Sequence, residues 1–128
     1  MTDSLRLVSA LDDLAAIRPI RVWNGAIARS VEGDRLSLAV VELEPLTVVP
    51  EHSHENEQLG IVLSGSVSFR VGDETRQLVA GGTWRIAPNV PHEVHAGPEG
   101  AAVVDVFAPV REDWRALEQL DAQPPRWP

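Results

Sequence analysis

Between Pro19 and about residue 110 the chain is written as short β-rich runs cut by turn residues, and this punctuation constrains the fold most. "DRLSLAVVELE" (34–44) sets Leu36, Leu38 and Val40 on one face, then Val41 and Leu43 on the other, and "EGD" (32–34) before it reads as a hairpin turn. "QLGIVLSG" and "SVSFRVG" flank Ser64–Gly65, and Gly72–Asp73 marks a second tight turn inside "VGDETRQLV". "AGGTWRIAPNVPHEVHAGPEG" (80–100) holds four glycines and three prolines between short runs, and "AAVVDVFAPV" (101–110) is the last β run. Many short strands with Gly/Pro turns predict an all-β sandwich or barrel. Helical patterns lie only at the ends. "SALDDLAAI" (9–17) predicts a short helix with Ser9 as N-cap, stopped by Pro19. "REDWRALEQLD" (111–121) predicts a C-terminal helix with Trp114, Leu117 and Leu120 as its apolar stripe. The expected organisation is a single domain over 1–128 with a barrel core at about 20–110.

Composition removes several function classes. The chain has no cysteine, which excludes disulfides, thiolate metal sites and cysteine nucleophiles. All eleven basic residues are arginine, which excludes Schiff-base chemistry on lysine. A formal net charge of −8 with no basic cluster argues against nucleic acid as a partner, although one arginine suffices to grip a small anionic substrate. No apolar run approaches the ~20 residues of a membrane helix. "MTDSLRLVSALDDLAAIRP" has acids in its middle and lacks the layout of a signal peptide, so the expected location is cytoplasmic.

The residues with chemistry begin at "PEHSHENEQLGIVLSG" (50–65). His52 and His54 share parity on a strand, and Gln58 shares it too if the loop between them keeps register. His92 comes from a different predicted strand. Three imidazoles and an amide oxygen converging inside a barrel make a site for one divalent transition metal per chain (Mn, Fe, Ni or Zn), with positions open to water or substrate. By spacing alone these histidines read first as surface or satisfied core residues, and Glu51, Glu55, Glu57 and Glu93 around them either as charges that favour a cation or as solvated loop charges. Glu57 has the opposite parity and is expected to face outward; His95 is expected to point away from His92. Asp105 interrupts the apolar run 101–107, where a buried carboxylate is costly unless paired or working. Arg111 follows closely, so an Asp105–Arg111 ion pair stands beside an acid/base role.

Two spaced motifs resemble the cupin superfamily, small jelly-roll β-barrels. His52-x-His54, three residues, Gln58, six residues, Gly65 matches the first cupin motif from its first histidine onward. Gly81, five residues, Ala87-Pro88-Asn89, two residues, His92 matches the second. Leu46, Ala87, Asn89 and Ala96 depart from the motif residues; the ligand change is Gln58 for Glu. The resemblance spans roughly residues 35–110 and implies that His52, His54, Gln58 and His92 are the metal ligands. A neutral fourth ligand leaves the ion its full charge, making it a stronger Lewis acid that is held less firmly.

The longer pattern "H-x-H-x-x-E-Q … V-P-H … D-V-F-x-P-x-R-E-D" looks like the small cupins that open the ring of unsaturated uronates in pectin and alginate breakdown. Carried over by position, that resemblance implies Asp105 as proton shuttle, Arg111 as carboxylate binder and Phe107 as part of the substrate site. An iron-dependent dioxygenase and a non-enzymatic small-molecule-binding barrel remain as alternatives on the same residues. Analogy with small cupins also implies a homodimer, with residues 18–31 as candidate pairing segment.

Overall fold

The computed structural model describes residues 9–128. Eight strands are present: β1 (Ile20–Trp23), β2 (Ala26–Glu32), β3 (Ser37–Leu43), β4 (Val48–His52), β5 (Glu57–Val71), β6 (Glu74–Val79), β7 (Thr83–Ile86) and β8 (His92–Ala108). The hydrogen-bonded order is β1-β2-β3-β8-β5-β6, with β4 added to β8 and β7 to β5, and every pairing is antiparallel. The expected all-β jelly roll is therefore present, but its sheet does not close on itself.

Two expected breaks turn out to be bends within long strands. β5 runs through Ser64–Gly65 and β8 through Gly97–Gly100, and their mutual register shifts at Val62/Ser64 and Gly65/Val67. Bulges bend a strand and sharpen its twist without ending it. The first halves of β5 and the last half of β8 pair beside β3 and β7; their other halves pair beside β4 and β6. The core lies between, with Ala39, Val41, Leu43, Val62, Val67, Phe69 and Val103 buried. On β3 the inward set is Ala39, Val41 and Leu43, whereas Leu36 and Leu38 lie on the outer surface, 48% and 41% exposed.

Both predicted helices shrink to 3-10 turns, Leu14–Ala16 and Glu112–Ala116. Ser9 bonds locally to Leu11 and does not cap the turn, and Leu11 is 87% exposed, so no apolar face pays for a longer helix. The second helix is overridden by sheet contacts. Arg21 N–H donates to the Glu118 carbonyl, Leu120 N–H to the Pro19 carbonyl, and Ile20 bridges Gln119. The free edge of β1, part of the expected pairing segment, is thereby covered by the chain's own residues 118–120.

The tail then crosses β2 and β3 over a buried ion pair. Arg29 is fully buried, its Nη1 3.1 Å from Glu42 Oε2, and its Nη2 donates to the Gln123 carbonyl at 2.8 Å. The same Glu42 oxygen accepts the Arg126 backbone N–H. Removing one partner leaves a buried charge uncompensated. Arg29→Met is expected to lower unfolding free energy by about 3–5 kcal/mol, and Arg29→Met/Glu42→Leu to recover part of that loss, both read from urea denaturation.

Candidate metal centre and cavity

The three histidines reach one point from three kinds of backbone. His52 ends β4, His92 opens β8, and the two are cross-strand partners. His54 lies in the turn between β4 and β5, so His-x-His is not a single strand face as its spacing predicts. The turn before His92 depends on Asn89, whose φ of 65° is left-handed, a conformation that Asn tolerates better than most residues. Leu46, where the cupin motif has glycine, also takes a left-handed φ, 62°.

Each imidazole is oriented by a backbone carbonyl. Nδ1 of His52, His54 and His92 lies 2.8, 3.0 and 2.9 Å from the carbonyls of Pro50, Asn56 and Val90. A proton on each Nδ1 leaves each Nε2 lone pair free, the arrangement that a metal-binding histidine uses. Candidate ligand atoms of the three all lie within 4.8 Å of one another. His92 Nε2 is buried without any hydrogen-bond partner, a polar orphan that needs an explanation. Burial, followed by His52, His54 and Arg111, brings His92 down to about 4, despite its bond to Val90. Burial and then Arg111 also lower His54. Both are neutral at pH 7, as ligands must be.

Gln58, the second residue of β5, completes the group. Its Oε1 lies 3.0 Å from His54 Nε2. Its Nε2 donates to Asp105 Oδ1 at 2.8 Å, and Trp84 Nε1 donates to the same oxygen at 2.8 Å. With the amide protons committed to Asp105 and the His54 proton on Nδ1, Gln58 Oε1 and His54 Nε2 confront each other as two acceptors. A cation between them resolves this. Three neutral imidazoles and an amide oxygen therefore fit a divalent transition ion.

Asp105 sits in the cavity wall on β8, 8% exposed. Burial raises it to about 6, against the opposing pull of Gln58, Trp84 and Arg111. Its Oδ2 has no hydrogen bond among the described residues and is not among the fully buried orphan atoms, so it is left to the cavity. Trp84 is the functional neighbour that sequence reasoning missed. Its signal was an indole needing an acceptor, and Gly60 lies directly opposite it on β5, where a Cβ would collide with the ring.

The expected Asp105–Arg111 pair does not form. Arg111 is bound bidentately by Asp113, Nε to Oδ1 at 3.0 Å and Nη2 to Oδ2 at 2.9 Å. Its guanidinium carbon lies 4.8 Å from the Phe107 ring centre and 4.7 Å from that of Trp114. Phe107 is buried and meets His54 edge-on, with ring centres 5.8 Å apart. Glu57 is exposed as expected. So is His95, which bonds Glu93 at 2.6 Å away from the site. A cavity of about 320 Å³ connects His52, Gln58, His92, Asp105, Phe107 and Arg111.

Jelly-roll topology together with a histidine cluster at its cavity points to a cupin-type fold. Residues 39–107 match the cupin domain family, and the chain belongs to it. It is similar to an H2HPP isomerase of Bacillus subtilis, 40% identical over 73 residues, covering 55% of this chain but only 30% of that protein's length. It is also 28% identical to an uncharacterised protein of Streptomyces coelicolor over 77% of this chain and 92% of that one. Among solved structures, an RmlC-like cupin from Shewanella frigidimarina superposes with a TM-score of 0.77 at 20% identity, covering 83% of this chain and 96% of the other. KdgF from a Halomonas species superposes at 0.76 and 22%, covering 83% and 98%. No helix among the described residues is long and apolar enough to cross a membrane.

His92 and Asp105 pull pH-dependent stability in opposite directions. With His92 lowered from 6.5 to about 4, the unfolded chain binds the extra proton, so stability falls as pH drops through that window. With Asp105 raised from 3.8 to about 6, the folded protein binds the extra proton, so stability rises as pH drops from 6 toward 3.8. In chelator-treated protein, Asp105→Asn should therefore lose about 3 kcal/mol more than wild type between pH 6.5 and 4, measured by chemical denaturation at stepped pH.

Proposed function

We propose that this cupin is a divalent-metal-dependent enzyme that moves a proton on a small anionic substrate, in a ring-opening or isomerisation reaction. The observation that carries the reading is the Asp105 carboxyl: buried, near neutrality in its ionisation, one oxygen fixed by Gln58 and Trp84 and the other left to the cavity. That is the environment of a group that takes and returns a proton at neutral pH. His52, His54, Gln58 and His92 would hold the metal, which when bound supplies Lewis-acid polarisation of a substrate carbonyl or hydroxyl. Arg111, held between Phe107 and Trp114, would bind the substrate carboxylate through Nη1, the guanidinium nitrogen that Asp113 leaves unused. Phe107 would pack against the substrate.

The isomerase named among its relatives supports this class. Opening of an unsaturated uronate ring, implied by the sequence resemblance, is one member of it. Metal-loaded protein should turn over its substrate equally well under nitrogen and in air; strict dependence on Fe²⁺ with uptake of O₂ would favour a dioxygenase instead. Saturable binding without turnover would favour a binding module. Elemental analysis should find about one transition metal per chain, falling to near zero in His92→Ala. Asp105→Asn should retain the metal and lose turnover by about 10²–10⁴-fold. A solution mass of twice the chain by light scattering would support the homodimer.

A further inference from the structure

The cavity is chemically one-sided, and this bears on the substrate. Its charged, imidazole and amide side chains come from the end of β4, the start of β5, the two ends of β8 or residues 111–113, and Trp23, Trp84 and Trp114, whose indoles each carry an N–H, line it as well. The remaining wall is built by Ala26, Val41, Leu43, Val67, Val94 and Val103, with Phe69 and Trp84 beside them. None of the six wall residues has a polar side-chain atom, and their backbone groups lie in strands. On the polar side most atoms are already engaged. Asp105 Oδ1 holds Gln58 and Trp84, Glu51 pairs with Arg70 at 3.0 Å, and Asp113 fills two nitrogens of Arg111. What remains for a ligand is the histidine–glutamine group, Asp105 Oδ2, Arg111 Nη1 and the indole N–H groups of Trp23 and Trp114.

A pyranose acid carries hydroxyls around its whole rim. A hydroxyl turned toward the aliphatic wall loses water and gains no partner, whereas a hydrocarbon placed there loses nothing. The volume of about 320 Å³ also sits at the small end of ligand sites. Resting on the small-carboxylate reading above, we infer that the acid this cavity accepts has an apolar body of about one ring, not a polyhydroxylated sugar ring. The carboxylate and the reacting oxygen lie on the polar side, and the hydrocarbon lies against Val41, Val67, Val94 and Val103.

Two six-membered-ring acids test this by isothermal titration calorimetry: cyclohexanecarboxylate and glucuronate, each against Zn²⁺-loaded and chelator-treated protein. Cyclohexanecarboxylate should bind ~10–100-fold more tightly, with the preference present in both forms because the wall needs no metal. Val94→Thr, which puts a hydroxyl into a half-buried part of the wall, should narrow the ratio. Arg111→Met should weaken both acids and leave the ratio unchanged. Equal or tighter binding of glucuronate overturns the inference while leaving the proton-transfer reading standing. Failure of Zn²⁺ to bind, with neither acid binding, overturns both.

Discussion

The antiparallel pairing of β5 with β8 is the constraint on which the rest of this molecule depends. In its register Gln58 faces Phe107, Gly60 faces Asp105, and Val71 faces His92. Because alternate side chains go to opposite faces, a slip of one residue would put Gln58 on the opposite face of the sheet from Asp105 and Phe107. The bulges near Ser64 and Gly65 let the same two strands serve both halves of the jelly roll. One end of the ladder thus supplies Asp105 and Gln58, and the other supplies His92. The bend that makes the fold also closes the site.

Gln58 links the histidine cluster to Asp105. Its amide presents an oxygen toward His54 and a donor toward Asp105. A glutamate there would bind a hard cation more firmly, but as a carboxylate it would have no proton to donate and would place a second negative charge against Asp105. The neutral side chain therefore does two jobs at once. It would leave a bound ion more electrophilic, and with Trp84 it keeps the neighbouring carboxyl oriented by two donors on one oxygen. Trp84 is the other donor, and the missing side chain of Gly60 gives its ring the space to reach.

The strand runs and the outline of the metal group were legible in the sequence because their signals are local. Alternation, Gly72–Asp73 and the two spaced histidine motifs need only short-range geometry. Misreadings occurred where a local signal had a long-range answer. Ser64–Gly65 and Gly97–Gly100 look like strand ends but are bends in paired strands. Residues 117–120 carry a helical stripe, yet β1 offers them a sheet edge, and tertiary contact outweighs helix propensity. Arg111 looked matched to Asp105, but Asp113, two residues on, takes its fork.

The sequence by itself determined the class of fold, because alternation and turn residues encode strands, and its resemblance to two spaced motifs picked out the clustered histidines and the neutral fourth ligand candidate. Only the tertiary structure decided what those residues do to one another. Trp84 and Asp105 are 21 positions apart, and Gln58 and Asp105 are 47; no local pattern connects them. Burial raised Asp105, and folding brought the three imidazoles together and left an aliphatic wall beside them. Those are properties of neighbours brought together by folding, and a linear chain does not display them.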